Sequence, residues 1–157
     1  MMSSDDRVRS VDPVDAALLA RGVCRMLDQL GYAAIPEFRL ANGRRADVMA
    51  LGRAGELVVV EIKSSIADFR ADQKWPDYWD YCDRLYFAVA ASFPRDLVPA
   101  ECGLILADPF GAAVLREPTP RPLSAARRRA VILRFALTGA SRLRRLVDPG
   151  AGAGELV

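Results

Sequence analysis

Two acids and a lysine hold the chemistry this sequence can do. Within RRADVMALGRAGELVVVEIKSS, Asp47 precedes Glu61-Ile62-Lys63. Residues two apart on a strand leave the same face, so Glu61 and Lys63 emerge together. Asp47 joins them only if the hairpin between them has the right register. A three-residue loop of Arg53, Ala54 and Gly55, with Gly55 at positive φ, pairs Gly52 with Glu56 and sets Asp47 opposite Glu61. A two-residue loop slips the register by one and sends the acids to opposite faces. Gly55 favours the longer loop. Two carboxylates facing each other, about 5 Å apart at Cβ, repel unless a cation lies between them, and hard oxygen donors suit Mg²⁺ or Mn²⁺. With Lys63 alongside to hold or deprotonate a water, the set suits metal-assisted hydrolysis of a phosphodiester.

Composition removes the main alternatives. The chain has no histidine, which excludes Ser-His-Asp and Cys-His nucleophilic chemistry and most zinc sites. Its three cysteines, Cys24, Cys82 and Cys102, form no CxxC pair and read as small apolar residues in a reducing compartment. Of 22 basic residues only Lys63 and Lys74 are lysine, and arginine cannot act as a neutral base. The bland reading of Asp47, Glu61 and Lys63 is a solvated salt-bridge ladder. Val58-Val59-Val60 argues against it, because an unbroken apolar run marks a strand covered on both faces.

The elements that must position these residues are legible from periodicity. Asp12-Pro13 offers an N-cap and a first helical proline, and apolar spacing predicts a helix to about Leu30, ended by Gly31. YAAIPEFRL, RRADVMAL and LVVVEIKS read as three strands split by turn signals. A helix then runs to about Lys74, Trp75-Pro76 interrupts it, and a short helical turn continues through Cys82. RLYFAVAA and GLILAD are further strands, AAVLRE is a candidate edge strand, and a last helix spans 124–147. With 157 residues this predicts one α/β domain at 12–147, a mixed central sheet with helices on both faces, between disordered ends at 1–11 and 148–157. No run is apolar enough to span a bilayer and the opening is too polar for a signal peptide, so the expectation is a soluble cytoplasmic protein with no membrane partner.

The αβββαβ order with Asp on the second strand and Glu-x-Lys on the third resembles the PD-(D/E)xK nuclease superfamily. More narrowly, GRRADVMAL, VEIKSSIADFRADQKWPDYWDYCDRLYFAV and GLILAD resemble the MmcB-like family of DNA-repair-associated proteins, over about residues 14–145. The resemblance implies a restriction-endonuclease-like core with a basic C-terminal helix, acting as a Mg²⁺- or Mn²⁺-dependent DNA endonuclease. It would place Asp47, Glu61 and Lys63 in catalysis, Asp47 and Glu61 on the metal, and DNA and other repair proteins as partners. The alternative is a non-catalytic DNA-binding or scaffolding subunit of a repair complex.

Related enzymes often take a fourth acid from the first helix or first strand, where Asp15 and Glu37 are the candidates. Asp15 sits in a first helical turn, where the helix dipole alone explains it. Glu37 faces Asp47 only if the loop Ala41–Gly43 has three residues; an Asn42-Gly43 turn would pair Phe38 with it instead. Gln73 and Lys74, after Glu-x-Lys, stand where related nucleases carry a polar group facing the site, or on an exposed helix face. Arg45 is a candidate phosphate contact. Residues 116–147 hold nine Arg and one acid, Glu117, so Arg127, Arg128 and Arg129 are candidate DNA contacts or a solvated face. Phe69, Trp75, Tyr78, Trp79 and Tyr81 are either core or a base-stacking or partner surface.

Overall fold

The computed structural model describes residues 13–150, with side chains described from residue 16 onward. The expected disorder at residues 1–11, and all but 148–150 of the expected tail at 148–157, lie outside the described residues, as does the Asp15 side chain. Six strands form one mixed sheet in the order β1-β2-β3-β4-β5-β6: β1 Ala33–Arg39, β2 Arg45–Leu51, β3 Leu57–Lys63, β4 Arg84–Val89, β5 Gly103–Ala107 and β6 Ala112–Arg116. The first three make an antiparallel meander, β3, β4 and β5 run parallel, and β6 closes the far edge antiparallel to β5. Helices α1 (Pro13–Gln29), α2 (Ile66–Ala71) and α3 (Ala125–Val147) complete an α/β fold in the order read from the sequence.

Every residue of β3 is buried, as its apolar run requires of a central strand. On one face α1 sets Leu19, Val23, Met26 and Leu27 against Val48, Val58 and Val60. On the other, Val131 and Phe135 of α3 and a 3₁₀ turn at Trp75–Tyr81 cover Met49, Val59 and Phe87. Helix α1 sits close to the sheet because residue 22 is glycine: a Cβ there would lie 1.9 Å from the Asp108 carbonyl oxygen. Gly31, at φ +86°, ends α1 with Tyr32 N–H donating to Leu27 O and Gly31 N–H to Asp28 O. Leu30 falls past the last helical residue and is exposed, not part of the buried face.

One expectation is corrected downstream of β3 and one choice is resolved. Helix α2 stops at Ala71, where the Asp72 N–H bonds Asp68 O and the Asp72 carboxylate accepts from Lys74 N–H. The aromatic cluster is core: Tyr78, Trp79 and Tyr81 are buried, and Phe69 and Trp75 pack edge-on against Phe87 at 5.4 and 5.7 Å. None of the five is left as an open stacking platform for bases.

Candidate active site

The β2–β3 hairpin has the three-residue loop. Gly52 N–H donates to Glu56 O, Gly55 N–H returns to Gly52 O, and Gly55 takes φ +89°. The ladder then runs from Leu51 opposite Leu57 to Val48 opposite Val60. One step further, where Asp47 meets Glu61, carboxylates take over from the ladder. Asp47 N–H donates to Glu61 Oε1 at 3.0 Å, and Ile62 N–H donates to Asp47 Oδ2 at 2.7 Å. Each acid is thereby held by the main chain of the other's strand.

Strand β1 is irregular at the same level. Its turn also has three residues, with Leu40 N–H on Arg44 O and Gly43 at φ +85°. The register brings Pro36 opposite Val48 and Phe38 opposite Ala46, which leaves Glu37 abreast of Asp47 but unpaired. Glu37 adopts φ +50°, a left-handed conformation uncommon outside glycine, and Arg142 of α3 donates to the carbonyls of both Pro36 and Glu37. The Glu37 carbonyl is thus taken by Arg142, and the Asp47 N–H by the Glu61 carboxylate. The Glu37 side chain stays exposed, 3.8 Å from Arg45. Tyr78 O–H donates to the Arg45 carbonyl.

Burial raises the pKa of Asp47 above its ordinary value, and burial together with the Asp47 charge does the same for Glu61. The charges of Lys63 and Arg45 offset this only in part. Lys63, only 5% exposed, is shared with Asp72, whose Oδ2 lies 2.6 Å from its Nζ. Burial opposes ionisation of Asp72, but the Lys63 hydrogen bond, the Lys74 N–H and nearby Arg44 outweigh it and hold the carboxyl below its usual range.

Asp72 is the polar group that reaches the lysine from α2. Gln73 donates to Arg70 O at the helix's own end and Lys74 is exposed, so neither faces the acids. Asp72 went unrecognised because the helix was expected to continue through it. The interruption signalled by Trp75-Pro76 was the available clue.

Asp47, Glu61 and Lys63 open into a cleft of about 860 Å³, walled by Ala16, Ala20 and Cys24 of α1 and rimmed by Arg21, Arg25, Arg45 and Arg142. Arg25 is tethered to Phe110 O and Arg142 to β1, while Arg21 and Arg45 are exposed. Arg21 and Arg25 stand one turn apart beside the small residues of α1, a pattern visible in the sequence but not read there.

The basic run at 127–129 is split by its partners, and one member is corrected. Arg128 forms a bidentate ion pair with buried Asp83, at 2.6 and 2.7 Å, and donates to Gly55 O. Asp83 also accepts from Leu57 and Leu123 N–H. This knot ties α3 to the β2–β3 turn, at the end of the sheet away from the acids. It removes Arg128 from the candidate DNA contacts. Arg127 lies over the Tyr81 ring and Arg129 is exposed, both outside the cleft.

Among the described residues no three His, Cys, Asp or Glu side chains converge as a ready-made metal cluster. No helix there is long and apolar enough to cross a membrane.

No curated protein matches the chain. A solved structure, the SPO1766 protein of unknown function from Silicibacter pomeroyi, is 46% identical, with TM-score 0.86, covering 93% of this chain and 99% of that one. A repair endonuclease from Pyrococcus abyssi is 20% identical over 51% of this chain and 37% of its own, with TM-score 0.31, too low to bear on activity. The family model described as DNA repair protein MmcB-like matches residues 5–150, and the chain belongs to the MmcB-like family of DNA-repair proteins.

Proposed function

We propose that this chain is a Mg²⁺- or Mn²⁺-dependent DNA nuclease that hydrolyses phosphodiester bonds in the cleft over Asp47, Glu61 and Lys63. The observation that carries the reading is the cross-tied, only partly compensated Asp47–Glu61 pair at the floor of a cleft rimmed by arginines.

The donor set fits a hard cation. One oxygen of each acid is tied to main-chain N–H, and among the described residues Asp47 Oδ1 and Glu61 Oε2 accept no protein hydrogen bond. Two carboxylate oxygens are few for a structural cation but suit Mg²⁺, which keeps several waters and binds through one or two carboxylates plus substrate phosphate. Asp47 and Glu61 would hold the ion, which when bound supplies Lewis acidity and neutralises phosphate charge.

The chain's own residues do the positioning. The two main-chain bonds fix both carboxylates before substrate arrives, which is the preorganisation that such electrostatic catalysis needs. Lys63, paired with Asp72, presents a cation to the phosphate and orients the attacking water. Arg21 and Arg45 receive the neighbouring phosphates. Binding of Mn²⁺ alone, followed by titration calorimetry, tests the metal part: wild type binds, whereas Asp47→Asn and Glu61→Gln bind at least about tenfold more weakly, since the lost charge is worth 1.4 kcal/mol or more. Equal binding by all three would remove the acids from the metal site.

A further inference from the structure

Among the described residues, the outward face of α3 has no partner, and it carries exposed leucines. Leu133 and Leu137 are 59% and 44% exposed. At 3.6 residues per turn they share one stripe, about 80° wide, with Ala126, Ala130 and Ala140. The buried Val131 and Phe135 lie on the opposite side. Of the large exposed hydrophobics among the described residues, more than half belong to α3, with Leu133 and Leu137 on this stripe and Leu143, Leu146 and Val147 beside its C-terminal end.

The charge around the stripe has one sign. Residues 125–147 hold seven Arg and no acid. Arg129 and Arg144, both exposed, stand near its two ends, 15 residues or about 22 Å apart along the axis. Arg144 meets Asp148 at 3.3 Å, in a pair that is itself exposed.

We infer that this face docks an amphipathic helix of another protein, one with Leu or Ala at i, i+3, i+4 and i+7 and Asp or Glu near both ends. The alanines let two helix backbones approach closely, Leu133 and Leu137 fill the gaps between the partner's side chains, and Arg129 and Arg144 select the acidic ends. A second copy of the chain is disfavoured: a two-fold antiparallel pairing centred on Ala136 and Leu137 would set Arg129 of one copy against Arg144 of the other. Nucleic acid is disfavoured because phosphate contacts need donors along the surface, and the middle of this one is leucine and alanine. The inference does not depend on the nuclease reading.

The test uses the full chain and a fluorescein-labelled helical peptide about 18 residues long, with a Leu/Ala stripe and Glu near both ends. Its twin carries Lys in place of Glu. Anisotropy should show the Glu peptide binding at least about tenfold more tightly than the Lys peptide. Leu133→Ser/Leu137→Ser and Arg129→Gln/Arg144→Gln should each weaken it by a similar factor while melting like wild type. No binding, or unchanged binding by either variant, overturns the proposal. So does a self-associated state in sedimentation that the Leu variant dissociates. Binding of duplex DNA or of phosphatidylserine vesicles that depends on the same four residues would also overturn it.

Discussion

Lys63 Nζ lies 2.6 Å from Asp72 Oδ2, and the two are joined across the end of α2 rather than along one strand. The contact depends on α2 stopping at Ala71 and on Phe69 anchoring it against Phe87 and Phe93. Asp72 is therefore a positioning residue for the lysine at the cleft floor. Asp72→Asn should leave Lys63 buried without its counter-charge and cost about 1–3 kcal/mol, the range for an orphaned buried polar partner. It should slow cleavage in kcat more than in KM and leave Mn²⁺ binding intact, while Asp72→Glu recovers part of the rate. Thermal melts and steady-state kinetics on the three proteins check this.

Without metal, stability should fall as pH rises. Folding raises the pKa of Glu61 from 4.5 to about 8, by burial and by the Asp47 charge. The folded protein then holds more protons than the unfolded chain across that window, so stability is fullest below about 4.5 and declines toward 8, by up to about 1.4 kcal/mol per pH unit. Asp72 and Asp83 are shifted downward, so their opposite contribution falls at more acid pH. Urea titrations from pH 5 to 8 should show the decline in wild type and a shallower one in Glu61→Gln, where Asp47 alone keeps a raised pKa. Saturating Mg²⁺ should flatten the wild-type profile as well.

Arg128 should behave as a structural residue. Arg128→Met leaves the Asp83 carboxylate buried without its bidentate partner and should cost about 2–4 kcal/mol, below the full range for a broken buried pair because Arg128 is partly exposed. Arg129→Gln should stay within about 0.5 kcal/mol. Chemical denaturation of the two variants separates the roles that a run of three arginines conceals.

Gly22→Ala places a methyl 1.9 Å from a main-chain oxygen in the β5–β6 loop. Backbone cannot step aside as a flexible side chain can, so α1 must lift from the sheet at a cost of about 1–3 kcal/mol. Gly111→Ala meets nothing within 4 Å and should be close to neutral. Melting temperatures of the pair test whether α1 is seated by that glycine.

What the sequence made legible was local or periodic. The β2–β3 register followed from one glycine, Gly55, because a positive φ at the third loop position determines which residues face each other for the rest of the hairpin. The end of α1 followed from Gly31 in the same way. Glu37 stayed open between two turn lengths, and only the Arg142 contact, 105 residues away, shows how its backbone is held. Asp83 and Arg128 are separated by 45 residues, and nothing in a basic run says which member turns inward. Asp72 was hidden by the assumption that helical spacing continues to Lys74.

Single-turnover cleavage with Mg²⁺ or Mn²⁺, on single-stranded, nicked, flapped and branched DNA, is the most direct test of the central claim. Wild type should cut at least one of these substrates. Glu61→Gln and Lys63→Met, at matched folded fraction, should cut it at least about 10²-fold more slowly, the lower bound for loss of a positioned catalytic group. A wild-type protein that cuts none of them with either ion, or a Glu61→Gln variant that cuts at the wild-type rate, would contradict the account and leave a repair-family fold whose Asp47–Glu61 pair does no hydrolysis.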